Sequence, residues 1–298
     1  MMPHRERHQA SSKMWVPLLL MSIALFNASP QEVNLCEFCS CTPTELDCSD
    51  VFWKGERLKH ALPNWDFPQV HLKIPPSKIT QEIFRGFENI SVIDLSLNGL
   101  SSFDESLFLN FRSLKQISLS NNHFEDFPVL SGLQSLDILS LDGNVLRETP
   151  RHLNWTTPGV RILQLQENQI RTVSGAHLPL NLSMLDLSEN LISILDISSF
   201  KGLLYLESVD LRNNRITKVN DQAFSVPMLH RVMLRGNDIG HMSTNAFSKS
   251  LSDLTLTGNN LLELADLEGL ETINSLFIEK KGNCFSNSAL IFPLCSLP

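Results

Sequence analysis

Leu182-Ser183-Met184-Leu185-Asp186-Leu187-Ser188-Glu189-Asn190-Leu191-Ile192 is one instance of a template that recurs through the middle of the chain, L-x-x-L-x-L-x-x-N-x-L. Seven further copies begin at Ile90, Leu114, Leu136, Val160, Leu206, Leu229 and Leu251. The ninth position is asparagine in all eight: Asn98, Asn122, Asn144, Asn168, Asn190, Asn214, Asn237 and Asn259, spaced 22 to 24 residues apart. A degenerate copy precedes them at Leu72, Ile74, Ser77 and Ile79. Another follows at Ile273, Leu276 and Ile278, with Lys281 in place of asparagine. Terminal copies of a stacked array face solvent on one side, so atypical ends are expected.

Alternation at the fourth to sixth positions is a strand signature: Leu185 and Leu187 point to one side, Asp186 to the other. One such strand cannot bury its apolar face alone, whereas stacked copies form a parallel sheet over a continuous core. Asparagine at position nine ends the strand, where its amide satisfies backbone groups of the turn. Leucine, isoleucine or phenylalanine at position eleven turns back into the core. Position fourteen is apolar in every copy but the third, which has Thr149. A phenylalanine recurs at position nineteen in Phe87, Phe108, Phe200, Phe224 and Phe247, and is expected to fill the convex side where each turn returns. The third and fourth copies carry Asn154 and Leu178 there, so their convex side is expected to be less regular and without short helices.

The template also accounts for the composition. Of 298 residues, 50 are leucine and 23 asparagine, and eight of those asparagines occupy one position. The aliphatic content excludes a collagen-like or disordered chain. A net charge of −8 and a pI near 5.6 speak against a general nucleic-acid binder, which needs a basic face. The nine histidines are scattered, with no H-E-x-x-H, no nucleophile elbow and no glycine-rich phosphate loop. Asp186 and Asp210 on adjacent copies mimic a carboxylate pair, but repeats place aspartate on a sheet face by composition alone. No catalytic activity, cofactor or metal is expected.

Residues 1–28 read as a secretory signal: Arg5, Arg7 and Lys13 against Glu6, an apolar run from Met14 to Phe26, then Asn27-Ala28-Ser29. The cut is placed within residues 24–30. The apolar run is shorter than the roughly 20 residues a bilayer span needs, and no later segment supplies one. All six cysteines follow this segment, as a cluster (Cys36, Cys39, Cys41, Cys48) and a distant pair (Cys284, Cys295). The cluster's spacing suits zinc in a reducing compartment. Behind a signal peptide, disulfides are expected instead.

These residues together resemble the leucine-rich-repeat family, and the cysteine cluster with Leu46-Asp47-Cys48 resembles the N-terminal cap of its extracellular branch. The resemblance covers roughly residues 36–295. It implies an α/β repeat fold, a horseshoe solenoid with a parallel β-sheet on the concave face. It also implies the pairings Cys36–Cys41 and Cys39–Cys48, which leaves Cys284 with Cys295 by elimination. The resulting division is a signal over 1–28, a cysteine-rich cap over 29–68, repeats over 69–272 and a C-terminal capping repeat over 273–298. The C-terminus departs from the four-cysteine cap of Slit-type and Toll-type ectodomains.

Function is expected in the residues that the repeat leaves free: the third, fifth and seventh positions, which form columns on the concave face. Ile138, Ile162 and Met184 are consecutive in column three, apolar on a face that should be wet. Arg212, Arg231 and Arg235 follow in the next copies, with Asp186 and Asp210 nearby. Together they suggest a protein-binding strip in which the apolar row anchors and the arginines orient an acidic partner. Two plainer readings stand beside it: the aliphatics fill the sheet edge, and the arginines merely pair with the aspartates. Asn89, Asn154 and Asn181 open N-x-S/T sequons and are candidate glycosylation sites. Ser131-Gly132 and Ser174-Gly175 lack acidic neighbours, which speaks against proteoglycan-type chain attachment. The expected protein is a secreted binder of another extracellular protein. The alternatives are a non-catalytic subunit or stoichiometric inhibitor of an extracellular enzyme, and a self-associating matrix protein.

Overall fold

The computed structural model describes residue 36, residues 39–48, 68–72, 79, 84, 89–149, 159–243 and 245–261, and the backbone of 275–277. The cap contributes β1 (Ser40–Cys41) and β2 (Glu45–Cys48), and the degenerate first copy contributes β3 (Gln69–Leu72). The first four full copies contribute β4 (Val92–Asp94), β5 (Gln116–Ser118), β6 (Ile138–Ser140) and β7 (Ile162–Gln164). The next three contribute two strands each: β8 (Met184–Asp186) and β9 (Ile194–Leu195), β10 (Ser208–Asp210) and β11 (Lys218–Val219), β12 (Arg231–Met233) and β13 (His241–Met242). The series ends with β14 (Asp253–Thr255) and β15 (Ser275–Phe277).

Twelve strands form one sheet in the order β1-β2-β3-β4-β5-β6-β7-β8-β10-β12-β14-β15, antiparallel only between β1 and β2. In all eight copies the strand occupies template positions three to five, and the register keeps equivalent positions side by side. Thus Ile138 lies opposite Ile162, and Ile162 opposite Met184. Beyond the strand the ladder continues by alternate residues: Leu187 N–H donates to the Asp210 carbonyl and Glu189 N–H to that of Arg212, both at 2.8 Å.

Position eight then takes the left-handed conformation in every copy. Its φ runs from +54° at Asn121 to +72° at Gly258. Glycine or asparagine, which tolerate it best, stand there in five copies; Leu97, Glu167 and Glu189 adopt it as well. At Gly143 a side chain is disfavoured on a second count, since a Cβ would lie 2.5 Å from Asn121 Oδ1, which would have to move.

The reversal turns position nine inward, and there the asparagines do more than close their own turn. Asn168 Nδ2 donates to the carbonyls of Leu165 (3.1 Å) and Gln166 (3.2 Å) in its own copy and of Leu141 (2.9 Å) in the preceding one. Its Oδ1 accepts from Leu146 N–H at 3.0 Å, again in the preceding copy. Asn122, Asn144, Asn190, Asn214, Asn237 and Asn259 repeat the pattern. The result is a buried ladder of amides from copy to copy.

Positions one, four, six and eleven are buried, as in Leu182, Leu185, Leu187 and Ile192. Position fourteen is buried from the third copy to the seventh, as in Leu195, while Phe103 and Phe127 are partly covered. On the return side, Phe200, Phe224 and Phe247 stack with centroids 5.4 and 5.2 Å apart. Nearer the cap, Phe108 meets Phe103, Phe111 and Phe84 in tilted and edge-on contacts. Phe87 lies outside the described residues. Strands about 4.8 Å apart on one side and these bulky fillers on the other bend the stack into a horseshoe with the sheet on its concave face. Among the described residues the return segments contain no α-helix. In three copies their start forms a second parallel sheet, β9-β11-β13. No described helix is long and apolar enough to cross a membrane.

The expected lack of short helices in the fourth copy is corrected by a 3-10 turn at Gly175–His177. Leu178 takes the place of the phenylalanine and is fully buried. Gly175 permits the close approach, because its N–H donates to the Ser198 carbonyl at 3.0 Å and a Cβ would meet Lys201 O at 2.6 Å and Phe200 C at 2.7 Å. Those are backbone atoms that cannot swing aside. Gly175→Ala is therefore expected to lower the unfolding free energy by about 1–3 kcal/mol, the range for overpacking, measurable by urea titration; a neutral result would mean that the two copies slide apart freely. The corresponding segment of the third copy, 151–158, lies outside the described residues.

Both N-terminal disulfides form as the resemblance implied, Cys36–Cys41 and Cys39–Cys48. Cys284 and Cys295 fall outside the described residues. The cap is joined to the array by the pairing of β2 with β3 and by His71. Its ring nitrogens lie 2.9 Å from Glu45 Oε1 and 3.0 Å from Asp94 Oδ2. Burial opposes ionisation of Asp94. Hydrogen bonds from the Ser96 backbone and hydroxyl and from His71 outweigh it, and the carboxyl is held below the usual range.

Candidate functional site

The sheet presents the three free columns on one face. Ile138, Ile162 and Met184 start adjacent strands and form an unbroken row. Ile138 and Ile162 are partly covered, whereas Met184 is 49% exposed. The row continues in register through Ser208 to Arg231.

The charged residues separate into two groups. Asp210 is only 5% exposed, and Arg212 wraps it: Nη2 lies 2.6 Å from Oδ2, Nε 2.8 Å from the same oxygen, and the Arg212 backbone N–H donates to Oδ1 at 3.0 Å. The hydrogen bond to Asp210 and then its Coulomb attraction push the Arg212 guanidinium pKa up, with Asp186 and Glu189 adding a smaller pull. Asp186 spends one oxygen on the Ser188 N–H (2.9 Å) and hydroxyl (2.7 Å). These residues hold one another in place along the strands' C-terminal ends. Arg231 is exposed and only loosely paired, 4.0 Å from Asp253. Arg235 is exposed and forms no ion pair among the described residues. The available contact surface is therefore an apolar row ending at Met184, followed by two accessible guanidinium groups.

The partner of Arg231, Asp253, stands in the same column one strand on and was legible from the register. The pairing of Arg212 with Asp210, two residues apart in one copy, depends on side-chain direction. Of the sequons, Asn89 and Asn181 are exposed just before β4 and β8, and Asn154 lies outside the described residues.

A parallel-sheet solenoid with an asparagine ladder and a disulfide-bonded cap is the architecture of leucine-rich-repeat proteins. The family model described as "Leucine rich repeat" matches residues 76–124, 88–146, 180–226 and 204–261, together just over half of the chain. The chain belongs to this family. Among similar proteins, leucine-rich repeats and immunoglobulin-like domains protein 3 of Homo sapiens is 28% identical over 212 residues, covering 70% of this chain and 16% of that protein. Keratocan of Bos taurus is 28% identical over 188 residues, covering 55% of this chain and 51% of keratocan. The crystal structure of a TLR13–ssRNA13 complex is similar with a TM-score of 0.64 at 24% identity, covering 72% of this chain and 32% of that one. The Drosophila Toll–Spatzle complex is similar with a TM-score of 0.60 at 20% identity, covering 72% of this chain and 33% of that one. The chain spans less than two thirds of the length of each of these proteins, and the two structures share the fold.

Proposed function

We propose that this protein is a secreted, non-catalytic binder that receives another extracellular protein on its concave face. Leucine-rich-repeat proteins typically mediate protein–protein contacts, and Toll–Spatzle and LRIM1/APL1C are complexes of structural neighbours. The disulfides Cys36–Cys41 and Cys39–Cys48, behind a segment that reads as a secretory signal, support the extracellular setting. The observation that carries the reading is the in-register row Ile138, Ile162, Met184, half-exposed at its end and continued through Ser208 to Arg231, with Arg235 exposed at position seven of the same copy. Apolar anchors flanked by accessible guanidinium groups suit a partner segment with apolar side chains followed by carboxylates. Asp186, Asp210 and Arg212 act in this reading as the brace that orients the strand ends.

The test is affinity capture from native extracellular fluid, followed by titration of the captured partner against variants. Ile162→Ala with Met184→Ala is expected to weaken binding tenfold or more, since loss of a buried anchor costs about 1–2 kcal/mol and 1.4 kcal/mol is a factor of ten. Charge reversal at Arg231 and Arg235 is expected to slow association and flatten its salt dependence. Unchanged affinity in both variants, with the fold intact, would remove the concave strip as the binding site. A captured hydrolase would favour the enzyme-subunit alternative.

A further inference from the structure

Five copies, those beginning at Leu136, Leu182, Leu206, Leu229 and Leu251, enter their strands through the same turn. Leu182 N–H bonds to the Pro179 carbonyl, Leu206 N–H to that of Leu203 and Leu229 N–H to that of Val226. The two residues inside each turn form an outer corner of the solenoid. In three consecutive copies these corners are Leu180-Asn181, Leu204-Tyr205 and Pro227-Met228. Leu180, Leu204, Tyr205 and Met228 are each roughly half-exposed. The register aligns them: Asn181, Tyr205 and Met228 stand three residues ahead of the paired Met184, Ser208 and Arg231. The corners Arg112-Ser113 and Gln134-Ser135 toward the cap and Lys249-Ser250 beyond the patch are polar, and that of the fourth copy is Pro158-Gly159, of which Pro158 lies outside the described residues. A contiguous apolar surface of this kind calls for a cover.

The cover is encoded beside it. Asn181-Leu182-Ser183 is a sequon whose asparagine is exposed at the edge of the patch. We propose that an N-linked glycan on Asn181 is the occupant of this corner patch, packing along the array over Tyr205 and then toward Met228. The proposal rests on the reading of the chain as secreted. The sugar comes from a polyprenyl-diphosphate-linked oligosaccharide. Its anomeric C–O bond breaks, a C–N bond to Asn181 Nδ2 forms, the amide gives up one proton and the polyprenyl diphosphate leaves. Successive corners are about 4.8 Å apart, a step that one pyranose ring covers. The apolar C–H face of such a ring suits the face of Tyr205, the only tyrosine in the chain.

Asn89 is the internal comparison. It holds the same position in its own copy, three residues before Val92, but the next corner is the exposed Arg112-Ser113. A glycan there meets polar surface and has nothing to cover.

The experiment uses the full chain secreted from mammalian cells. Site occupancy is read by glycopeptide mass spectrometry, self-association by sedimentation velocity and exposed apolar surface by an environment-sensitive dye. Asn181 is expected to be occupied. Asn181→Gln is expected to raise the dye signal severalfold and to self-associate with concentration, while Asn89→Gln does neither. Adding Leu204→Ser and Tyr205→Ser to Asn181→Gln is expected to restore the monomer. A bare Asn181 beside an occupied Asn89 overturns the proposal alone, as does an Asn181→Gln protein that stays monomeric and dye-silent. If the chain is not exported and all sequons are bare, the proposal falls together with the secretory reading.

Discussion

Asn168→Ala is expected to lower the unfolding free energy by about 3–4 kcal/mol, although it removes one polar side chain of modest size. The amide makes four hydrogen bonds, three as donor and one as acceptor. The carbonyls of Leu141 and Leu165 keep a second amide donor, from Asn144 and Asn190 respectively. The Leu146 N–H loses its partner in a residue that is fully buried. An orphaned buried donor costs about 1–3 kcal/mol and each lost bond about 1 kcal/mol. Asn168→Asp separates the two roles. A carboxylate still accepts from Leu146 N–H but faces the other carbonyls with a buried charge, so it is expected to be no better than alanine near neutral pH. Because a solenoid is stabilised by neighbour-to-neighbour interfaces, the urea transition is also expected to broaden as the two halves uncouple. A loss below about 1 kcal/mol would show that water replaces the ladder at little cost.

Phe224→Ala is the other large effect, expected at about 3–5 kcal/mol, the range for truncating a buried phenylalanine. Phe224 lies fully buried between Phe200 and Phe247, at 5.4 and 5.2 Å. It therefore loses its own burial and both ring contacts at once. Phe224→Leu keeps most of the apolar volume and forfeits the stack, so a loss of only about 1–2 kcal/mol is expected. Thermal or urea unfolding of the pair measures the difference. Equal losses would mean that the apolar volume kept by leucine contributes nothing and that the ring contacts carry the whole effect, whereas a negligible loss in Phe224→Leu would mean that volume alone matters.

Much of this was open to reading in one dimension. The period, the strand positions and the inward columns follow from the spacing of leucine and asparagine, because each copy must present the same face to its neighbours, whereas the N-terminal disulfide pairing came only from the resemblance of the cysteine cluster to the family's cap. Position eight carried a readable signal too: Asn121, Gly143, Asn213, Gly236 and Gly258 mark the left-handed residue, but Leu97, Glu167 and Glu189 conceal the rule. The 3-10 turn at Gly175–His177 was hidden because it depends on Lys201 and Phe200 of the next copy.

Repetition alone determined the architecture: a period of 22 to 24 residues with one invariant amide admits a single way of stacking. The candidate surface depended on tertiary structure. Column three listed Ile138, Ile162 and Met184 as equals, yet only Met184 is half-exposed. The sequence grouped three arginines, yet Arg212 is folded onto Asp210 while Arg235 stands clear of any described acid. The corner patch beside Asn181 combines residues from three copies that no local pattern connects. The physical reason is common to all three. Periodicity specifies which side of the chain each residue takes, whereas its exposure and its partner depend on the copies stacked above and below it.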